Sequence, residues 1–305
     1  MQTVSKRPFR IQYISDIHLE MYDKLAFPLI LKPNARYLAL CGDIGHPRQP
    51  IFRSFMDYCS QRWDKVFYVP GNHDYYNKRP KKDWKYSTPE SMDTIDATIR
   101  SILAPYRNVH FLNNNVFEFP EHGINILGTP LWTDIPYDKF EAATERLRDM
   151  NYISVRDSSS GAGSSGAGSS VAGQFTPEVM KALHAKFSPW LLDALWQTNA
   201  QGRKAVVLTQ HMPSEVLVAP KYKGDPHWYI FYTEMSTHLS NPALLAWICG
   251  HSHSCERVMY RPGVWLLMNA RGYPDERTEG FNEGAVFEDK GSKDALFNSE
   301  EVELM

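Results

Sequence analysis

The chain has 305 residues, 43% of them hydrophobic, and a formal net charge of −2 at neutral pH. That length and apolar content can bury a large core, as one big domain or two. The near-balanced charge offers no global basic field, so an obligate nucleic-acid partner is not expected. No apolar stretch approaches the roughly 20 residues of a membrane-spanning helix, and Met1–Arg10 has no apolar signal core, so no membrane partner is expected either. Four cysteines with no CxxC pair (Cys41, Cys59, Cys249, Cys255) fit a reduced, cytoplasmic protein.

The first apolar run, Arg10–Ile14, reads as a strand leading into Ser15-Asp16-Ile17-His18. After a loop broken by Pro28 and Pro33, a second run, Tyr37–Cys41, ends at Gly42-Asp43. Phe52, Phe55, Met56, Cys59 and Trp63 recur at helical spacing and predict an amphipathic helix over Ile51–Arg62. Strand, helix and strand in that order imply a parallel crossover. The third run, Val66–Val69, stops at Pro70-Gly71 and delivers Asn72, His73 and Asp74 side by side. The basic stretch Lys78-Arg79-Pro80-Lys81-Lys82 reads as a solvated loop. Met92, Ile95, Ile99 and Ile102 mark a second helix that Pro105 ends.

Short strands follow near Val109–Phe111, Val116–Phe119 and Ile124–Leu127, then a polar-aromatic loop, Thr129–Asp134, and a charged helix over Glu141–Met150. Ser158–Gly173 is almost wholly Ser, Gly and Ala, a composition that cannot offset the entropy of ordering, and reads as a flexible insertion. Thr176–Thr198 resumes helix, with Leu183, Phe187, Leu191 and Leu195 on one face. Pro189 is expected to kink or restart it, with Ser188 as cap. A fourth run, Ala205–Thr209, leads into Gln210-His211, and a fifth, Ala246–Cys249, into Gly250-His251-Ser252-His253. Between them lies the aromatic segment Tyr222–Tyr232. Paired strands near Val258–Tyr260 and Val264–Met268, the stretch Asn269–Pro274, a short strand near Ala285–Phe287 and a polar tail after Asp289 complete the chain. Polar residues of one kind fall on both sides of the Ser/Gly stretch, so a single domain over residues 1–305 is expected.

Five apolar runs thus each end in a residue that can ligate a metal. The set is Asp16, His18, Asp43, Asn72, His73, His211, His251 and His253. Carboxylate, imidazole and amide oxygen without thiolate suit Mn, Fe or Zn rather than Cu(I), and Cys255 reads as a bystander. Even without His73 these are seven ligands, more than one ion needs, and they fit two divalent ions sharing a bridging carboxylate.

Asp16-x-His18, Gly42-Asp43, Gly71-Asn72-His73-Asp74, His211 and Gly250-His251-x-His253 resemble the signature of the calcineurin-like metallophosphoesterases, over Arg10 to Tyr273. The resemblance implies an α/β fold, a four-layer αββα sandwich of two mixed β-sheets flanked by helices, with the site along one sheet edge. It implies a first ion on Asp16, His18, Asp43 and His253 and a second on Asp43, Asn72, His211 and His251. His73 would touch the phosphoryl group, and Asp74 would hold His73 in orientation. Many relatives carry two adjacent histidines where this chain has Gln210-His211, and His211 is taken as the ligand. The implied reaction is attack of a metal-bridging hydroxide on the phosphate ester of a small phosphorylated substrate. A monoester is favoured over a diester such as a cyclic nucleotide or nucleic acid. A non-catalytic scaffold on the same fold would be expected to have lost ligands, and none is missing. Arg271 is a candidate for a bidentate phosphate contact or a structural link to a carboxylate. Trp132, with Tyr75, Tyr76 and the Tyr222–Tyr232 segment, is a candidate substrate wall.

Overall fold

A strand buried on both faces is apolar along its whole length, and the five continuous runs are used in that way. The computed structural model describes residues 8–77, 90–156 and 172–289. Lys78–Lys82, the Ser/Gly stretch up to residue 171 and the tail after Asp289 lie outside the described residues.

In chain order, β1 (Phe9–Ile14) and β2 (Tyr37–Cys41) precede α1 (Pro50–Ser60), β3 (Lys65–Val69) and α2 (Met92–Leu103). Strands β4 (Val109–Phe111), β5 (Asn115–Phe119) and β6 (Ile124–Gly128) lead to the short helices α3 (Phe140–Arg146) and α4 (Asp149–Tyr152). Then come β7 (Ser154–Arg156), β8 (Ala172–Gln174), α5 (Pro177–Ala200), β9 (Lys204–Leu208) and α6 (Ser236–Leu239). The last strands are β10 (Leu244–Cys249), β11 (Cys255–Arg261), β12 (Val264–Asn269) and β13 (Val286–Asp289).

One sheet has the order β13-β1-β2-β3-β4 and the other β11-β12-β10-β9-β6-β5. In the first, β1 to β4 run parallel and β13 is antiparallel. In the second, the four inner strands are parallel and the edge strands β11 and β5 antiparallel. Alternate residues of each strand serve two cores. Ile11, Ala39, Cys41, Phe67 and Val69 meet Ile126, Val206, Leu208, Ala246 and Ile248 between the sheets. Leu38, Leu40, Val66 and Tyr68 share a second core with Phe52 and Phe55 of α1 and Ile95 and Ile99 of α2. Ala205, Val207 and Trp247 do the same with Leu191 and Leu195 of α5. The layers therefore run helix, sheet, sheet, helix, the α/β sandwich that the motifs imply. Because β1, β2 and β3 are parallel, as are β9 and β10, their carboxyl ends gather where open α/β sheets place sites.

Three local expectations are corrected. Helix α5 is continuous through Pro189 rather than restarted, and Ser188 is no cap; its carbonyl accepts from His238 Nε2 at 2.8 Å. Thr176 is the cap, its hydroxyl accepting from Val179 N–H. The helix expected over Glu141–Met150 breaks after Arg146, where Leu147 is extended. The insertion expected through Gly173 ends earlier, because Ala172 and Gly173 pair with Arg156 and Val155 of β7. Among the described residues no helix is long and apolar enough to cross a membrane.

Candidate metal centre

Backbone hydrogen bonds lace the strand ends together before any side chain is considered. Gly42 N donates to Val69 O, Asp16 N to Gly42 O, His18 N to Asp43 O and Gly250 N to Gln210 O, each at 3.0 Å. His251 N–H, from the second sheet, donates to both oxygens of Asp16 on the first, at 3.0 and 3.1 Å. Asp16, His18, Asp43, His251 and His253 all have positive φ, from 46° to 81°. Such backbone costs about 1–3 kcal/mol per non-glycine residue and collects at functional sites.

The glycines beside these carboxylates have a steric reason. A Cβ on Gly71 would lie 2.2 Å from Asp43 Oδ1, and one on Gly250 2.5 Å from Asp16 Oδ2. The space a methyl would take is the space the neighbouring carboxylate occupies. Gly71→Ala should therefore displace Asp43 and weaken cation binding by roughly tenfold or more, on the scale of losing a ligand's support. Equilibrium dialysis against Mn²⁺ measures this, and unchanged affinity would contradict the steric account.

One group of donors converges, and a second set lies around Asn72, His211 and His251. In the first, the Nε2 atoms of His18 and His253 face each other at 2.9 Å, with Asp16 Oδ1 3.8 Å from the latter. Each ring is turned by a carboxylate behind it: His18 Nδ1 lies 3.2 Å from Glu20 Oε1 and His253 Nδ1 2.6 Å from Glu276 Oε2. With Nδ1–H donated there, both Nε2 lone pairs point at one spot, as in carboxylate–histidine–metal arrangements. Burial, assisted by His73 and opposed by Glu20, pushes His18 down to about 4. It is neutral at pH 7, the form that binds a metal.

In the second group, Asn72 Oδ1 and His211 Nε2 are buried without a hydrogen-bond partner among the described residues. His211 directs Nδ1 at Pro130 O (3.3 Å), and its ring lies 4.3 Å from that of His251. His251 donates Nε2–H to Ile230 O at 3.0 Å, which leaves Nδ1 as its lone pair. Burial and His251 push His211 well down, again towards neutral imidazole. Gln210 does not compete: its Nε2 donates to Asp16 Oδ1 at 3.2 Å and steadies that carboxylate. Asp43 Oδ1 accepts from His73 N–H at 2.7 Å. Burial, then Asp16 and Asp74, push Asp43 strongly up, as expected of buried carboxylates crowded without a counter-charge. Unpartnered acceptors, neutral imidazoles and crowded carboxylates together fit divalent cations.

The remaining expected residues take different positions. His73 stacks on Tyr76 (ring centroids 4.1 Å apart), with Nδ1 3.4 Å from Glu20 Oε1 and Nε2 3.4 Å from the Tyr273 hydroxyl. Asp74 does not orient it. Asp74 accepts from Gly45 N (2.8 Å) and Gly71 N (2.7 Å) and so pins two loops, and burial pushes its carboxyl up to about 7. The carboxylate that faces His73 is Glu20, which serves His18 with the same oxygen. Burial would push Glu20 up, but the hydrogen bonds to His18 and His73 outweigh it and hold it low. Trp132 is fully buried against Tyr75, Phe175 and His211, so it backs His211 and is no open wall. Arg271 donates to the Glu276 carbonyl at 3.3 Å and lies over the Phe281 ring, a link to a carbonyl rather than to a carboxylate. Glu20, Asp149, Glu276 and Tyr273 are site residues that motif reading misses.

The family that the fold and the donor groups point to is one of metal-dependent phosphoesterases. Residues 9–255 match the family model for calcineurin-like phosphoesterases, and the chain belongs to that family. It is 27% identical over 285 residues to uncharacterized protein L509 of Acanthamoeba polyphaga mimivirus, covering 88% of this chain and 92% of that protein. Among solved structures, phosphopantetheinyl hydrolase from Mycobacterium tuberculosis aligns with a TM-score of 0.57 at 17% identity, over 87% of this chain and 89% of that one. At that identity the likeness is one of fold.

Proposed function

We propose that the protein hydrolyses the phosphate ester of a small substrate with two divalent cations, Mn, Fe or Zn, that share Asp43. The observation that carries this reading is the pair of facing Nε2 atoms of His18 and His253 beside Asp16, with a second set of unpartnered buried donors next to it. When bound, such ions supply positive charge against the phosphoryl oxygens and an attacking water of lowered pKa. Asp16, His18, Asp43 and His253 would hold one ion, and Asp43, Asn72, His211 and His251 the other. Glu20 holds Nδ1 of His73, so Nε2, beside the Tyr273 hydroxyl, is the nitrogen that would serve the leaving oxygen as acid or as charge stabiliser. The Tyr273 hydroxyl beside that nitrogen limits how the ring can turn. A small phosphate ester, with a monoester favoured, is preferred to nucleic acid because the chain's net charge of −2 gives no general attraction for a polyanion. Four unbridged thiols fit work in a reducing compartment such as the cytoplasm.

The test is a panel of aryl monoester, bis-aryl diester, cyclic nucleotide and single-stranded DNA, assayed on chelated protein with and without added Mn²⁺. Hydrolysis of the monoester only with Mn²⁺ is expected. Preference for the diesters would move the substrate class, and no metal-dependent hydrolysis of any member would remove the reading.

A further inference from the structure

An asparagine can serve a cation only through its oxygen, and an amide has no intrinsic reason to present oxygen rather than nitrogen. Asn72 is given one by Asp149. Asp149 stands at the start of α4, is buried, and its Oδ1 accepts from Asn72 Nδ2 at 2.9 Å and from the Tyr76 hydroxyl at 2.5 Å. That oxygen is an acceptor already engaged by the Tyr76 hydroxyl, so it is the amide nitrogen that faces it. Asn72 Oδ1 must then point the other way, and there it is buried without a partner among the described residues. The four-residue helix that carries Asp149 is latched to the Asn72 turn on its other side too. Tyr152 stacks on Tyr76 (5.1 Å), Tyr76 stacks on His73, and Asn77 N–H donates to Tyr152 O at 2.9 Å.

From this geometry we propose that Asp149 is a positioning residue for the second cation: it fixes the Asn72 amide with the oxygen towards that ion and acts through Asn72. The inference rests on the two-ion reading above. It assigns a role to an element that carries no metal-binding motif of its own. Tyr76, donating to the same oxygen, keeps the carboxylate from rotating away from the amide.

The experiment is Mn²⁺ binding to the chelated full-length protein, by calorimetry with elemental analysis, for wild type, Asp149→Ala, Asn72→Ala and the double variant. Wild type should bind two ions. Asp149→Ala should weaken one of them by about 10–100-fold, the usual loss when a ligand's orienting partner is removed, and leave the other within about threefold. Because Asp149 works through Asn72, the double variant should be no weaker than Asn72→Ala alone. If the alanine variant does not fold, Asp149→Asn decides, since it keeps the volume and an acceptor for Tyr76 but pairs with the amide in either sense. Weakening of one ion there supports the proposal. Unchanged affinity, equal weakening of both ions, or additive losses in the double variant would overturn it. A wild type that binds a single ion would instead remove the two-ion reading, which separates the two failures.

Discussion

Asp43→Ala should empty both cation positions at once, whereas Asn72→Ala should empty mainly the second. Asp43 closes β2, the middle strand of the three motif strands in its sheet; its carbonyl accepts from His18 N–H and its carboxylate from His73 N–H, so it links the His18 loop to the turn that carries Asn72. Burial and neighbouring carboxylates already push it up, so cations should recover interaction there that no described side chain supplies. Lewis-acid stabilisation is worth several kcal/mol of transition-state energy, so turnover should fall roughly 10³-fold or more. Dialysis with elemental analysis gives the metal content, and circular dichroism verifies that the variant is folded. A folded Asp43→Ala protein that keeps one ion at full affinity would show that the carboxylate is not shared.

His73→Asn should do the opposite, keeping the metals and losing the chemistry. The contact of His73 with Asp43 runs through its backbone N–H, so the side chain can change without releasing that carboxylate. A general acid contributes about 10²–10⁴-fold, and the variant should lose that much turnover with its metal content intact. The loss should be smaller for a nitrophenyl ester, whose leaving group needs no proton, than for an alkyl ester. Equal losses on both would assign His73 to charge stabilisation. Loss of an ion would make it a ligand.

The strands and the candidate ligands that follow them were legible for one physical reason. Strands covered on both faces are largely apolar, so the polar residues within three positions of each run's end mark the sheet edge, and that edge is where Asp16, Asp43, Asn72, His211 and His251 stand. The partners that turn these ligands were not legible. Asp149 meets Asn72 across 77 residues, Glu276 meets His253 across 23, and Tyr273 meets His73 across 200. No local periodicity records such pairs. Glu20 was nearer to view, two residues after His18, but a loop gives no rule for which way its side chain turns. Asp74 misled by adjacency: in the tight turn His73–Tyr75 successive side chains diverge, and the carboxylate swings to Gly45 and Gly71 rather than to its neighbour. Trp132 followed the default of large aromatics and went into the core.

The most direct test of the central claim is an anomalous-difference map from crystals of the Mn²⁺-loaded protein, collected alongside an activity assay of the same preparation. The account predicts two peaks about 3.5–4 Å apart, one beside His18 and His253, the other beside Asn72 and His211, with Asp43 between them. A single peak in fully active protein would contradict it.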